Sequence, residues 1–304
     1  MKRIPSLLVV IILGFSLSAF ARPKKASKKS SSMQPDVTWT FNYLKDQGFD
    51  GEFLNELKNH YDQKSFERVL RLNHLGFLSP PSHQSLITKE AVNKSLQFLQ
   101  ANKKALEKSQ KLYNVPPEVI SALLWVETRH GNITGQFHVP SVYLHLLQAS
   151  REKNRKSLLK IAKKSPQSKK YTSKELRDMI KSRSEWRSSW ALEELQALQE
   201  IHKSNRKNIG GLRGSFAGAF GIPQFIPSSY LAYSASANSS VHPDLFKKAD
   251  AVLSVGRYLK THGWKSKRKS THVKALMKYN NSRDYAESIL ELSRKIKIRM
   301  NAKK

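Results

Sequence analysis

Apolar residues in this chain recur three and four positions apart, and nowhere do they alternate convincingly over a strand-length run. No other feature constrains the fold as strongly, because only a helix places residues at that spacing on one face. Phe41, Leu44 and Phe49 lead into Phe53, Leu54 and Leu57, then Phe66, Val69, Leu70 and Leu72, which predicts two short helices joined near Gly48 and Gly51. Thr88 reads as an N-cap with Glu90 in the first turn of a helix carrying Val92, Leu96, Leu99 and Leu106 to about Tyr113. Pro117 suits the first turn of the next, which runs to about Arg129. Trp190, Leu192, Leu195 and Leu198 mark an amphipathic helix ending before Asn208. Ala249 to Leu259 mark another, stopped by Gly263, and Val273, Leu276 and Met277 begin the next. The expected fold class is mainly α, without internal repeats.

Charge and the N-terminal residues narrow the partner. Lys and Arg number 54 against 23 Asp and Glu, a formal charge of +31, which calls for a polyanion. Lys2 and Arg3, an apolar run from Leu7 to Leu17 and the Ala19-Phe20-Ala21 triplet have the layout of a signal peptide over residues 1–21, cleaved after Ala21. Cleavage leaves a charge of +29 and no second apolar stretch long enough to span a bilayer, so no stable membrane insertion is expected. A periplasmic or secreted protein does not have nucleic acid as its target, and cell-wall polymer becomes the leading polyanion. Residues 22–37 read as a disordered basic tail. Arg151 to Lys170 holds nine Lys or Arg and one acid, and reads as an exposed basic helix or arm, either a solvated face or a wall-contacting surface. The chain has no cysteine, which excludes disulfides, thiolate metal sites and cysteine nucleophiles.

Three constellations carry chemistry. Glu127 shares a stripe with Ile120, Leu123 and Leu124 at helical offsets, near the C-terminal end of its helix. Desolvation and the negative end of the helix dipole both hold a proton on such a carboxyl, as a general acid requires. A structural Glu paired with Arg129 is the alternative. The second constellation is GSFAGAFGIPQFIPSSY, Gly214 to Tyr230. Its small residues admit either a ligand close to the backbone or tight packing, and Gln224 offers the donor and acceptor that sugar hydroxyls or an acetamido group need. The third is Tyr279-Asn280-Asn281-Ser282 with Tyr285 beyond, suited to stacking and bonding sugars. No HExxH, phosphate loop or GxSxG is present, so neither a metal nor a cofactor is expected. Glu193 and Glu194 are adjacent and point apart on a helix.

Together the stretches VPPEVISALLWVETRHG, RGSFAGAFGIPQFIPSSY, VGRYLKTHGW and ALMKYNNSRDYAESIL resemble the membrane-bound lytic transglycosylase B family of peptidoglycan enzymes, glycoside hydrolase family 103, in content and order. The resemblance covers most of residues 38 to 292 and implies a lysozyme-like helical fold with a saccharide groove. The domain expected is 38–300, with a basic insertion near 151–183. By motif position Glu127 is implied as the single catalytic acid/base. Ser215, Gln224, Tyr279 and Asn280 are implied as substrate contacts, with Tyr113 and Tyr230 as further ones. The implied activity cleaves the MurNAc-β-1,4-GlcNAc bond of glycan strands and leaves 1,6-anhydroMurNAc ends. Its rivals are muramidase hydrolysis of the same bond and non-catalytic peptidoglycan binding. A monomer is expected. Two departures stand out. SASANSSVHPDLF replaces an Asp-rich, calcium-loop-like segment, so no calcium site is expected, and GIPQ replaces the family's glycine-tyrosine-glycine-glutamine.

Overall fold

The computed structural model describes residues 33–79, 82–204 and 207–302; the expected signal peptide and the tail up to residue 32 lie outside the described residues. Thirteen α-helices are described: α1 (Val37–Asp46), α2 (Gly51–Asn59), α3 (Phe66–Leu75), α4 (Lys89–Ala101), α5 (Lys103–Tyr113), α6 (Pro117–Thr128), α7 (Val139–Leu147), α8 (Glu152–Lys163), α9 (Ser173–Lys203), α10 (Pro227–Tyr233), α11 (Lys248–Thr261), α12 (Ser270–Tyr279) and α13 (Arg283–Asn301). Two two-residue strands, β1 (Phe137–His138) and β2 (Arg213–Gly214), pair antiparallel with Phe137 opposite Gly214.

Most of the helices pack on one of two central helices, α6 and α9. One group, α4, α5, α11 and α13, packs on α6; the other, α2, α3, α7, α8 and α10, packs on α9. One large hydrophobic core runs through both, with a small separate cluster at Ala217 and Ala219. α6 is buried from Glu118 to Thr128, more completely than its sequence stripe predicts, because neighbours surround it. Side chains set the helix starts: Thr88, as predicted, and also Asp36, Asp50 and Ser282 each accept from a first-turn amide, and Thr172 and Glu175 form a reciprocal capping box.

Three expectations need correction and a fourth is narrowed. The helix predicted from Thr88 to Tyr113 is two helices, divided at Asn102, whose side chain donates to Phe98 O at 2.9 Å and competes with the helical ladder. The helix expected around Trp190 begins at Ser173. Residues 33–37, assigned to the tail, are fastened to the body: Met33 N donates to Glu67, Asp36 N donates to Gln148, and the Asp36 carboxylate meets Arg151 at 2.6 Å. The basic segment after Arg151 is the helix rather than the free arm: α8 keeps Lys153, Lys156, Lys160 and Lys163 exposed and packs on α3 and α9, with Leu158 and Ala162 fully buried.

This docking gives a direct test. Leu158→Ala should cost about 2–4 kcal/mol of stability, as large-to-small changes in a core do, read as a lower urea midpoint. An unchanged midpoint would contradict the packing of α8.

Candidate active site

Pro116 and Pro117 start α6, and its apolar composition buries it, so the last turn carries Glu127 into the interior. The helix then stops abruptly. Arg129, His130 and Gly131 take positive φ in succession (51°, 58° and 97°), and Arg129 N and His130 N return to Trp125 O and Leu124 O. For two non-glycine residues this is costly backbone, held in place by surrounding contacts. His130 stacks on Phe98 with centroids 4.2 Å apart, and its Nε2 donates to Ser121 O at 2.9 Å. Burial pushes its pKa down to about 4, which makes it a neutral core histidine. Thr128 Oγ1 donates to Ile222 O at 2.7 Å and ties this turn to the glycine-rich segment.

Glu127 is 8% exposed and opens onto a small pocket lined by Leu86, Trp125, Thr128, Arg129 and Ile133. Arg129 does not neutralise it; the guanidinium lies over the Trp125 ring, 5.3 Å from its centroid. The hydrogen-bond partner of Glu127 is Tyr285, whose hydroxyl donates to Oε1. Burial raises the Glu127 pKa to about 8, and the Tyr285 hydrogen bond opposes that rise. The carboxyl is therefore protonated near neutral pH, beside a donor that stabilises its anion once the proton leaves. In the sequence Tyr285 stands only as a residue beyond the Tyr-Asn motif. A signal for it existed: Tyr285 heads the buried stripe Tyr285, Ile289, Leu292 and Ile296, and a buried tyrosine hydroxyl needs a partner.

The remaining candidates fall into two groups. Tyr279 lies behind Tyr285, with ring centroids 6.5 Å apart, and donates to Pro223 O, so it links the third constellation to the second. Ser215 is almost wholly buried and its Oγ accepts from Ala219 N at 3.2 Å. Gln224, at φ 54°, donates through Nε2 to Thr134 O and Gly221 O, so both amide hydrogens are committed to the backbone. Asn280 is 3% exposed, within the turn between α12 and α13. Tyr230 has no exposed surface; its hydroxyl donates to Pro243 O and its ring packs near Phe220, which makes it a core residue rather than a groove contact. Tyr113 is half-buried at the end of α5, where its ring lies against Gly256 of α11. The small residues of the second motif are used for packing: a Cβ on Gly218 would meet the Tyr143 ring at 2.4 Å, and one on Gly221 would meet Leu245 at 2.5 Å.

Other acids are occupied elsewhere. Glu194, unlike Glu193, is buried and accepts from Trp190 Nε1, Ser228 N and Ser228 Oγ, thereby capping α10 from α9. Asp244 pairs with Lys207 at 2.6 Å. Among the described residues no three His, Asp or Glu gather in a way that could hold a metal ion. No helix among them is long and apolar enough to cross a membrane. The arrangement around Glu127 can deliver one proton to a bound oxygen and take one back.

The raised pKa makes stability depend on pH. A carboxyl whose folded pKa lies above its unfolded value stabilises the fold fully below about 4.5 and progressively less as pH rises through about 8. At about 1.4 kcal/mol per unit, the window spans roughly 3–5 kcal/mol. Glu127→Gln cannot ionise, so it should gain on the wild type by several kcal/mol from pH 4.5 to 8 in paired urea titrations. A constant difference across that range would contradict the burial of a protonated Glu127.

Comparison with known proteins places this geometry. The family described as transglycosylase SLT domain matches residues 81–274. Membrane-bound lytic murein transglycosylase B of Escherichia coli K12 is 30% identical over 230 residues, 71% of this chain and 54% of that protein, so the chain spans about half the length of this curated relative. The Escherichia coli lytic transglycosylase SLT35, solved with bulgecin A, superposes with a TM-score of 0.65 at 20% identity, over 87% of this chain and 93% of that one. SltB3 of Pseudomonas aeruginosa, solved with NAG-NAM-pentapeptide, gives a TM-score of 0.62 at 16% identity, over 86% of this chain and 78% of that one. At these identities the likeness to the solved structures is one of fold, and it is the helical fold that the sequence motifs implied.

Proposed function

The chain belongs to the transglycosylase SLT domain family, and on that premise we propose that it is a peptidoglycan lytic transglycosylase acting through Glu127. The observation that carries this reading is the buried Glu127 carboxyl opening onto a small pocket, with its pKa raised to about 8 and the Tyr285 hydroxyl donating to it. Its substrate is the MurNAc-β-1,4-GlcNAc linkage of glycan strands, consistent with the NAG-NAM-pentapeptide bound by the Pseudomonas relative. The chain works as a monomer in the periplasm or outside the cell, after cleavage near Ala21, with its domain beginning where Met33 meets Glu67.

Glu127 gives its proton to the glycosidic oxygen as the C1–O bond breaks, and the GlcNAc leaves as an alcohol. Tyr285 stabilises the carboxylate that results. The oxocarbenium-like centre at C1 is met by the substrate's own N-acetyl carbonyl. Glu127 then takes the proton of the muramyl C6 hydroxyl, whose oxygen closes onto C1 as the 1,6-anhydro ring, and the acid is regenerated. One carboxyl suffices because the attacking oxygen is part of the substrate, in contrast to the two-carboxylate scheme of glycoside hydrolysis. Ser215, Tyr279 and Asn280 shape the wall of the groove beside it. Gln224 contributes only its amide oxygen to a ligand, since its hydrogens are bonded to Thr134 and Gly221.

Glu127→Gln tests the assignment. Removing the general acid should slow the clearing of purified sacculi by at least about 10²-fold while sacculus pelleting is retained. Near-normal clearing by a folded variant would overturn the role of Glu127. A wild type that pellets with sacculi but never clears them would favour a non-catalytic binder.

A further inference from the structure

Residues 82–88 form a strap across the end of α6 that bonds to both helices of the acid site. Leu86 O accepts from Trp125 Nε1 at 3.4 Å, two residues before Glu127 on α6. On the other side, His83 reaches α13. Its backbone N and its Nδ1 both meet Asp284 Oδ2, at 2.8 and 3.0 Å, and Asp284 directly precedes Tyr285. A carboxylate only accepts, so Nδ1 carries the hydrogen. The His83 ring then stands edge-on to Tyr285, with centroids 5.4 Å apart and planes at 86°. Its side chain is 3% exposed, and Nε2 has no hydrogen-bond partner among the described residues. Stranding a buried polar atom is unfavourable, and an apolar ring would fill the same space without doing so. What the imidazole adds is the Nδ1 bond to Asp284.

We propose that His83, gripped by Asp284, is a positioning residue for the acid, holding the first turn of α13 and the Tyr285 ring so that the hydroxyl stays on Glu127. The proposal rests on the reading of Glu127 as the acid. The ring edge fixes the tilt of Tyr285 from one side, while the Tyr279 ring lies nearly parallel to it at 17°. Ser282 Oγ fixes the backbone of the same turn by accepting from Tyr285 N at 3.2 Å. The titratable groups facing Tyr285 are Glu127, Tyr279, Tyr258 and His83. Among these only His83 is bonded to Asp284. Loss of that bond frees Tyr285 to leave Glu127, and the carboxylate loses its one stabilising donor.

Two variants separate the parts of His83. His83→Phe keeps a ring against Tyr285 and the backbone N–H bond to Asp284 but removes the Nδ1 donor; His83→Asn keeps a donor near the position of Nδ1 and removes most of the ring. The readouts are the Glu127 carboxyl titration by ¹³C NMR, assigned against Glu127→Gln, and kcat and KM on soluble glycan fragments. His83→Phe should raise the Glu127 midpoint by about half to one pH unit, the scale of a weakened hydrogen bond to a charged group. It should lower kcat roughly 3–10-fold with KM unchanged, taking each such unit as about tenfold. His83→Asn should recover most of both. An unmoved Glu127 midpoint in His83→Phe overturns the proposal, even if kcat falls along with the melting temperature. A wild type inert on glycan refutes the catalytic reading of Glu127 and leaves the titration to decide the role of His83.

Discussion

The structure depends on a carboxyl held out of water at the end of a helix that is buried on all sides. Burial alone would keep Glu127 protonated and make its anion expensive. The Tyr285 hydroxyl tempers that cost and leaves a group able both to give and to recover a proton around neutral pH. This pair comes from residues 158 positions apart, so the packing of α13 on α6 is what brings the hydroxyl to the carboxyl. The strap containing His83 and Leu86 joins the same two helices, and the turn at Arg129–Gly131 ends α6 just after Glu127.

The glycine-rich segment supports this centre in a different way from that suggested by its composition. Its small residues allow helices and loops to approach: Gly218 accommodates the Tyr143 ring and Gly221 accommodates Leu245. The segment then passes its carbonyls to the site helices, with Ile222 O accepting from Thr128 and Pro223 O from Tyr279. Ile222 and Pro223, where this chain departs from the family pattern, thus bond through their backbones. The second group of helices anchors the segment through Glu194, whose carboxylate caps α10 in place of a side chain from Ile226.

Helix content, the start of α6 and the burial of Glu127 were legible because they rest on local signals: proline at the first turn, capping side chains and apolar spacing. Contacts distant in sequence were not. Tyr230 carried the motif pattern of a groove residue, yet its hydroxyl is bonded to Pro243 in the core. The start of α9 was hidden because its buried stripe includes Ser184, Arg187 and Glu194, which break a hydrophobic pattern without breaking the helix. The split at Asn102 depended on one side chain turning back to Phe98 O, a choice that spacing does not reveal. The basic segment after Arg151 showed its charge clearly, but its three buried positions, Asn154, Leu158 and Ala162, were outnumbered by lysines.

A site with one carboxyl and its tyrosine partner limits the chemistry. Hydrolysis needs a water at C1 and a group to activate it, whereas Glu194 and Asp244 are bound to α10 and Lys207. In the proposed reaction the muramyl C6 hydroxyl is tethered to the reacting ring and has a large proximity advantage over free water. The measurement that bears most directly on this account is mass spectrometry of sacculus digests made without borohydride reduction. The account predicts muropeptides ending in 1,6-anhydromuramic acid. Mostly hydrated, reducible ends would contradict it and would require a water-activating group beside Glu127.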